Sequence, residues 1–444
     1  MGLAFFGNER EFTFGFPDWP QFDNREMQGL ERVLRSRRWF AGFLGGDETS
    51  EVGQFEKEFA DYNNSRHAIA VSNGEAALII ALAASGVGAG DEVIMPAWTF
   101  VATASAAMHL GAVPVFADVT PDNLCLDPKD VLKKVSDKTR AVITVHYGGR
   151  LGNIDELVDI AQKKNLILIE DACHAHGSVH RGKKAGTLGH LGCFSFQESK
   201  TMTSGEGGLI TTNDDHIAQV ARSFRSNGRK VGSPGYLHYR LGWNYRLTEF
   251  QAAILRAQLS RLDEQVRTRT ENSRLLTTML NDTPGFIPLK DPEGTIQNSC
   301  YLYPIRLDLN YFGMNRELAD KYAEKREIGY SHSLAPSSLL IEDILRAEGI
   351  PCSSVYIPLN RSPLFLDTEE RTKGLTTFER YIGVPQYEAA LPVSDRAFEE
   401  VVDLPLKVFM GDTETISTVA RAFSKISSNV DQIKGYLKEL SMIR

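Results

Sequence analysis

Cysteine is scarce in this sequence, and no long apolar run is present. The 444 residues include five cysteines, Cys125, Cys173, Cys193, Cys300 and Cys352. They are odd in number, widely spaced and without a CxxC pair, so neither a disulfide framework nor a structural zinc site is indicated. No stretch approaches the ~18 apolar residues of a membrane span. The opening MGLAFFGNEREFTFGFPDWP lacks a continuous apolar centre behind a basic start, as a secretion signal would have. A cytoplasmic protein with no membrane partner is expected. A basic block is missing too. The 49 Lys and Arg against 57 Asp and Glu leave a net charge of −8, which argues against nucleic acid as the partner. No internal repeat or low-complexity tract is evident. What is there is ample apolar content, 42% of the chain, and a length that suggests two domains working on small molecules.

After a polar, aromatic-rich arm and a glycine-bearing loop at residues 41–46, strand and helix patterns alternate. Short apolar strands are expected at Ala68 to Val71, Glu92 to Met95, Val113 to Phe116, Ala141 to Val145, Leu166 to Glu170 and Leu209 to Thr212. Helical patterns lie between several of them, at Glu75 to Ala84, Thr103 to His109 and Ile154 to Lys163, and two more are read towards the C-terminus, at Asp395 to Val402 and Thr413 to Leu440. Near-continuous apolar strands separated by helices imply a mainly parallel sheet covered on both faces. Such α/β sheets bind ligands at the carboxyl ends of their strands.

Polar residues collect at those ends. Lys200, in FSFQESKTMTSGEGG, sits on a short connection between the β-prone Cys193 to Phe196 and the strand from Leu209. Small hydroxyl residues flank it, and a desolvated lysine in such a setting becomes a nucleophilic amine. The turn Ser72-Asn73-Gly74-Glu75 leads from strand to helix. It reads either as a phosphate seat built from free amide N–H groups or as a plainly capped helix start. Asp171 ends a buried strand, where a carboxylate meets a cation or a donor. The following Cys173, His174 and His176 could be read as a metal nest, but an imidazole orienting an organic ligand is favoured over one. Phe100 could be core or could stack on a flat ring. One ligand satisfies the set: a flat heteroaromatic ring with a phosphate at one end, a basic nitrogen facing Asp171 and an aldehyde facing Lys200. Pyridoxal phosphate has that form.

The segments SNGEAAL, PAWTFVAT, EDACHAHGS, FSFQESKTMTSGEGG, GWNYRLTEFQAAI and LPLKVF, in that order, resemble the DegT/DnrJ/EryC1/StrS family of pyridoxal-phosphate-dependent sugar and cyclitol aminotransferases. The resemblance implies fold type I, a large domain with a mainly parallel seven-stranded sheet covered by helices and a smaller C-terminal α+β domain. Boundaries are expected at 1–45 for an arm and substrate loop, 46–262 for the large domain and 263–444 for the small one. It further implies that Lys200 forms the Schiff base, that Asp171 binds the ring nitrogen, that Phe100 stacks on the ring and that His174 lies near the phenolic oxygen. Phosphate would be held by Gly74, the backbone of Glu75 and Ser195. Asn244, in GWNYR, would be donated by the neighbouring subunit, implying a homodimer with shared active sites.

One residue departs from the family pattern. Where threonine usually follows the glycine, this chain has Glu75, whose carboxylate would repel a phosphate at contact distance. The side chain is expected to turn away and leave only its N–H, an acidic residue being favourable in a helix's first turn. The stretches FPDWPQF, RRWFAGF and NRSPLF resemble the cyclitol branch, which includes L-glutamine:scyllo-inosose aminotransferases and 3-amino-5-hydroxybenzoate synthases. The implied reaction moves an amino group from L-glutamine or L-glutamate to a keto-cyclitol. Alternatives are a nucleotide-linked keto sugar as acceptor, a dehydratase activity, or a catalytically idle relative. Arg229, Arg361 and Lys407 are candidates for the donor's carboxylate.

Overall fold

The computed structural model describes residues 2–42, 49–230, 233–234, 236–326, 335–353, 355–366 and 390–442. Most of the glycine-bearing loop at 41–46 lies outside them. The apolar segments form strands β1 (His67–Val71), β2 (Glu92–Pro96), β3 (Val113–Ala117), β4 (Thr139–Val145) and β5 (Ile167–Asp171). Two short strands, β6 (Val179–His180) and β7 (Lys183–Lys184), precede β8 (Leu191–Ser195) and β9 (Gly208–Thr212). Seven of these make one sheet in the order β1-β9-β8-β5-β4-β2-β3.

Within this sheet β3, β2, β4, β5 and β8 run parallel. β9 is antiparallel to both β8 and β1. The reversal has a local cause. The link from Ser195 to Gly208 contains no helix, and a parallel return needs a crossover of a dozen or more residues, usually helical. The chain therefore turns back, and Lys200 is left at the carboxyl end of β8.

Successive residues of a strand point to opposite faces, and both faces here are covered. Val93, Met95, Ile143, Ile169, Cys193 and Ile210 pack with the helix Gly74–Ala84. Their neighbours Ile94, Val142 and Leu168 pack with Ile154–Lys164 on the other side. Beyond Glu75 the helix Gly74–Ala84 is apolar around its whole circumference, as a helix wedged between sheet and neighbours must be. The α/β architecture with a mainly parallel seven-stranded sheet is that expected from the sequence.

A second core follows. Strands β10 (Phe286–Pro288), β12 (Leu302–Leu307) and β13 (Val401–Pro405) form an antiparallel sheet. It packs with the helices Arg316–Lys325, Leu339–Ala347, Thr413–Ser428 and Val430–Ser441. Leu3 and Phe12 of the N-terminal arm are buried in this core. The helix Glu249–Leu280 carries the chain from one core to the other without a break, so residues 262 and 263 lie in mid-helix. Strand β11 (Thr295–Gln297) pairs with β6, a further tie between the cores. Two expected elements differ. The helical pattern read over Asp395 to Val402 ends at Glu400, because the β-branched pair Val401-Val402 joins β13. The pattern over Thr413 to Leu440 is interrupted at Asn429, between two helices.

Candidate active site

A cavity of about 570 Å³ opens at the carboxyl ends of the central strands. Gly74, Glu75, Phe100, Asp171, His174, Ser195 and Lys200 all line it. Sheet register explains the convergence. Gly208 of β9 pairs with Val71 on one side and Ser195 on the other, so the turn leaving β1 and the end of β8 meet. β5 pairs with β8 through Asp171 and Cys193, which sets the carboxylate one strand away.

Asp171, only 7% exposed, is held from two sides. Thr103 Oγ1 donates to its Oδ2 across 3.0 Å, and the Cys173 N–H donates to Oδ1 across 3.3 Å. Thr99 Oγ1 lies 2.9 Å from Thr103 Oγ1. A carboxylate can only accept, so Thr103 commits its hydrogen to Asp171 and receives one from Thr99. The chain of hydroxyls presents a buried anion to whatever cation enters. Burial and Asp171 push the neighbouring Cys173 thiol well above its ordinary range, which leaves it unreactive.

Lys200 is half-buried, and among the described residues no carboxylate lies within ion-pair distance of it. Its Nζ lies 4.4 Å from the centre of the Tyr301 ring, a cation–π contact. Tyr301 is further anchored by Ser199 Oγ, 2.8 Å from its hydroxyl, and packs on His174 with ring centres 4.3 Å apart. Burial, with Lys200 and neighbouring histidines, pushes the His174 pKa well below its ordinary range. The Gly148 N–H donates to Nδ1 across 3.4 Å, so this neutral imidazole carries its proton on Nε2. That nitrogen faces the Tyr356 hydroxyl at 3.5 Å.

The Gly74 turn opens a helix at the cavity wall. Asn73 caps the helix by accepting from the Ala76 N–H at 2.8 Å, and the amides of Gly74 and Glu75 remain without intrahelical partners. Only glycine fits at 74. A Cβ there would stand 2.7 Å from Ser195 Cβ and 3.2 Å from Cys173 Sγ. The Glu75 carboxylate accepts a hydrogen bond from Ser105 Oγ. Phe100 is 58% exposed at the mouth, 6.2 Å from the Tyr356 ring. Asn244 is the one proposed ligand outside this cavity. It is exposed, on a segment bridged to Ser226.

Of the donor-carboxylate candidates, Arg361 pairs with Glu399 at 3.5 Å, and neither Arg229 nor Lys407 lines the cavity. Among the described residues no group of three or more His, Cys, Asp or Glu side chains is placed to hold a metal. Sequence reasoning assigned no role to Thr99, Thr103, Tyr301 or Tyr356. The threonines lay in the quoted PAWTFVAT, and their four-residue spacing was the available signal. The tyrosines come from the second half of the chain and carry no local signal. A second cavity, about 620 Å³, lies against the N-terminal arm. Its two cations are already paired, Arg25 with Asp23 and Arg261 with Asp23 and Glu26, and no strand of the large sheet ends in it.

The pieces fit a phosphorylated pyridine aldehyde. A cradle with no room for a Cβ suits a phosphate, a buried carboxylate suits a ring nitrogen, and an amine without a carboxylate partner suits an aldehyde. The comparisons agree. Residues 20–340 match the DegT/DnrJ/EryC1/StrS aminotransferase family. The chain is 36% identical over 429 residues to L-glutamine:2-deoxy-scyllo-inosose aminotransferase of Streptomyces kanamyceticus, covering 93% of each protein. The crystal structure of 3-amino-5-hydroxybenzoic acid synthase superposes with a TM-score of 0.78 at 33% identity, over 94% of this chain and 99% of that one. The structure of S. venezuelae DesV with a ketimine intermediate gives 0.73 at 29% identity, over 91% and 94%. The chain belongs to the DegT/DnrJ/EryC1/StrS aminotransferase family and is a pyridoxal-phosphate-dependent aminotransferase.

Proposed function

We propose that this enzyme moves the amino group of L-glutamine, or of L-glutamate, to the ketone of a keto-cyclitol of the scyllo-inosose kind, a step towards the aminocyclitols of aminoglycoside antibiotics. The observation that carries the catalytic assignment is the convergence of Lys200, Asp171 and the Gly74 cradle in one cavity. Pyridoxal phosphate, when bound, supplies the aldehyde that takes up the amine and a ring that accepts electrons. Lys200 would hold that aldehyde and, tethered in the cavity, would serve as the base and then the acid that moves the substrate proton. Asp171 would hold the ring nitrogen as a cation. Phe100 would cover one ring face, and His174 would offer its Nε2–H. Gly74, Glu75 and Ser195 would hold the phosphate through two amides and a hydroxyl.

The acceptor assignment draws on the similarity to the inosose aminotransferase and on the charge of the walls. Among the described residues Lys200 is the one cation lining the cavity, beside Glu75, Asp171 and Glu206. A nucleoside diphosphate calls for cations that these walls do not offer, whereas Gln197, Ser199, Tyr301 and Tyr356 suit a neutral polyol. A homodimer completes the site, with Asn244 reaching the neighbouring subunit's phosphate. Tyr236 and Leu241, 89% and 92% exposed on the same segment, are apolar surface of the kind a partner covers.

An acceptor screen tests the proposal. Purified enzyme with pyridoxal phosphate and L-glutamine is offered scyllo-inosose, other keto-cyclitols and nucleotide-linked keto sugars, and amine formation is followed. Turnover of nucleotide sugars with none of any cyclitol refutes the acceptor. Absence of a bound-cofactor absorbance band, unchanged in Lys200→Ala, refutes catalysis.

A further inference from the structure

Glu75 puts a negative charge beside the one feature of the cavity built for an anion. Its amide belongs to the cradle, and its carboxylate is within a side chain's length of that amide. Helical geometry separates the two. Gly74 faces Ser195 and Cys173, the atoms that a Cβ there would meet. The next residue of a helix is rotated by about 100°, which turns Glu75 away from that wall and towards the adjacent helix Ala102–His109. There Ser105 Oγ donates to Glu75 Oε1. Tyr245 also feels this carboxylate, its pKa being raised by burial and by Glu75. No cation pairs with Glu75 among the described residues, so the serine hydroxyl is the contact that fixes the side chain.

We propose that Ser105 is a positioning residue for cofactor binding: it latches the Glu75 carboxylate out of the phosphate cradle, and without it the enzyme's own side chain competes with the cofactor's phosphate. Two like charges at such range repel strongly where water is partly excluded. The latched carboxylate also lies at a helix N-terminus, where negative charge is favourable. Helix stability is therefore kept while the amides stay open. This inference rests on the assignment of the Gly74 turn as the phosphate seat.

The test is a binding titration of the cofactor-free enzyme, by absorbance and protein fluorescence, with pyridoxal phosphate and with pyridoxal, which lacks the phosphate. Ser105→Ala is expected to weaken pyridoxal phosphate about fivefold or more and to leave pyridoxal unchanged. Glu75→Gln keeps an oxygen for Ser105 and removes the charge, so it binds the phosphorylated form at least as tightly as the parent. The double variant Ser105→Ala/Glu75→Gln is expected to bind like Glu75→Gln, the loss being abolished with the charge. Equal losses for both ligands in Ser105→Ala, no loss for either, or a double variant as weak as Ser105→Ala overturns the latch. A parent enzyme that binds pyridoxal as tightly as its phosphate overturns the cradle itself, a separate outcome.

Discussion

Thr103 donates a hydrogen bond to Asp171 across 3.0 Å, from a helix on one side of the cavity to the end of a strand on the other. Both are buried, at 1% and 7% exposure. A valine at 103 keeps the shape and removes the donor, leaving Asp171 with the Cys173 amide. Thr103→Val is expected to lower kcat about tenfold, the usual scale for a lost hydrogen bond to a charged group, and to weaken cofactor binding. Thr103→Ser should restore both. Steady-state kinetics with a cofactor titration separates this from a packing defect, which serine would not repair.

Gly74→Ala isolates the cradle. Alanine is the better helix former by about 1 kcal/mol, so the fold should not suffer from backbone preference. The new Cβ would nevertheless stand 2.7 Å from Ser195 Cβ. Cofactor affinity is expected to fall on the order of tenfold or more, read by equilibrium titration, with less change in the thermal midpoint of the cofactor-free protein.

Subunit mixing tests Asn244. If each site takes Asn244 from its neighbour, Lys200→Ala and Asn244→Ala subunits together form heterodimers with one intact site. Unfolding and refolding an equimolar mixture should then recover about a quarter of the parent activity, from two nearly inactive preparations. Recovery no greater than the sum of the separate preparations places Asn244 outside the partner's site.

Stability should carry a pH signature from Asp403. Burial raises its carboxyl to about 7, against about 4 in an unfolded chain, and Tyr147 donates to it across 2.5 Å. The folded protein keeps a proton there that the unfolded chain releases. The stability this contributes is fully present below about pH 4 and is lost as pH rises to about 7. Asp403→Asn, neutral throughout, should gain thermal midpoint relative to the parent between pH 5 and pH 8, as followed by calorimetry. A constant difference across that range would contradict the raised value.

Local pattern went far in this chain because strands and turns are short-range objects. β1, β5 and β8, with the residues at their carboxyl ends, were legible within one or two positions. Where the reading slipped, a neighbouring strand decided. Val401 and Val402 continue a helical pattern but pair with β12, at Arg306 and Ile305. Tyr301 and Tyr356 escaped notice because nothing near them in sequence marks a cavity. They reach it only because the second core packs against the first.

The sequence by itself determined the chemistry: an amine at Lys200, an acid at Asp171, a glycine turn at 74, each specified by residue type and its immediate neighbours. Tertiary structure alone decided their companions. It chose Thr103 as the donor to Asp171, Tyr301 as the ring beneath Lys200 and Ser105 as the partner of Glu75. Those contacts join residues 30 to 101 positions apart in the chain. Sheet register and helix packing, not local preference, bring such residues within hydrogen-bond or ring-contact distance.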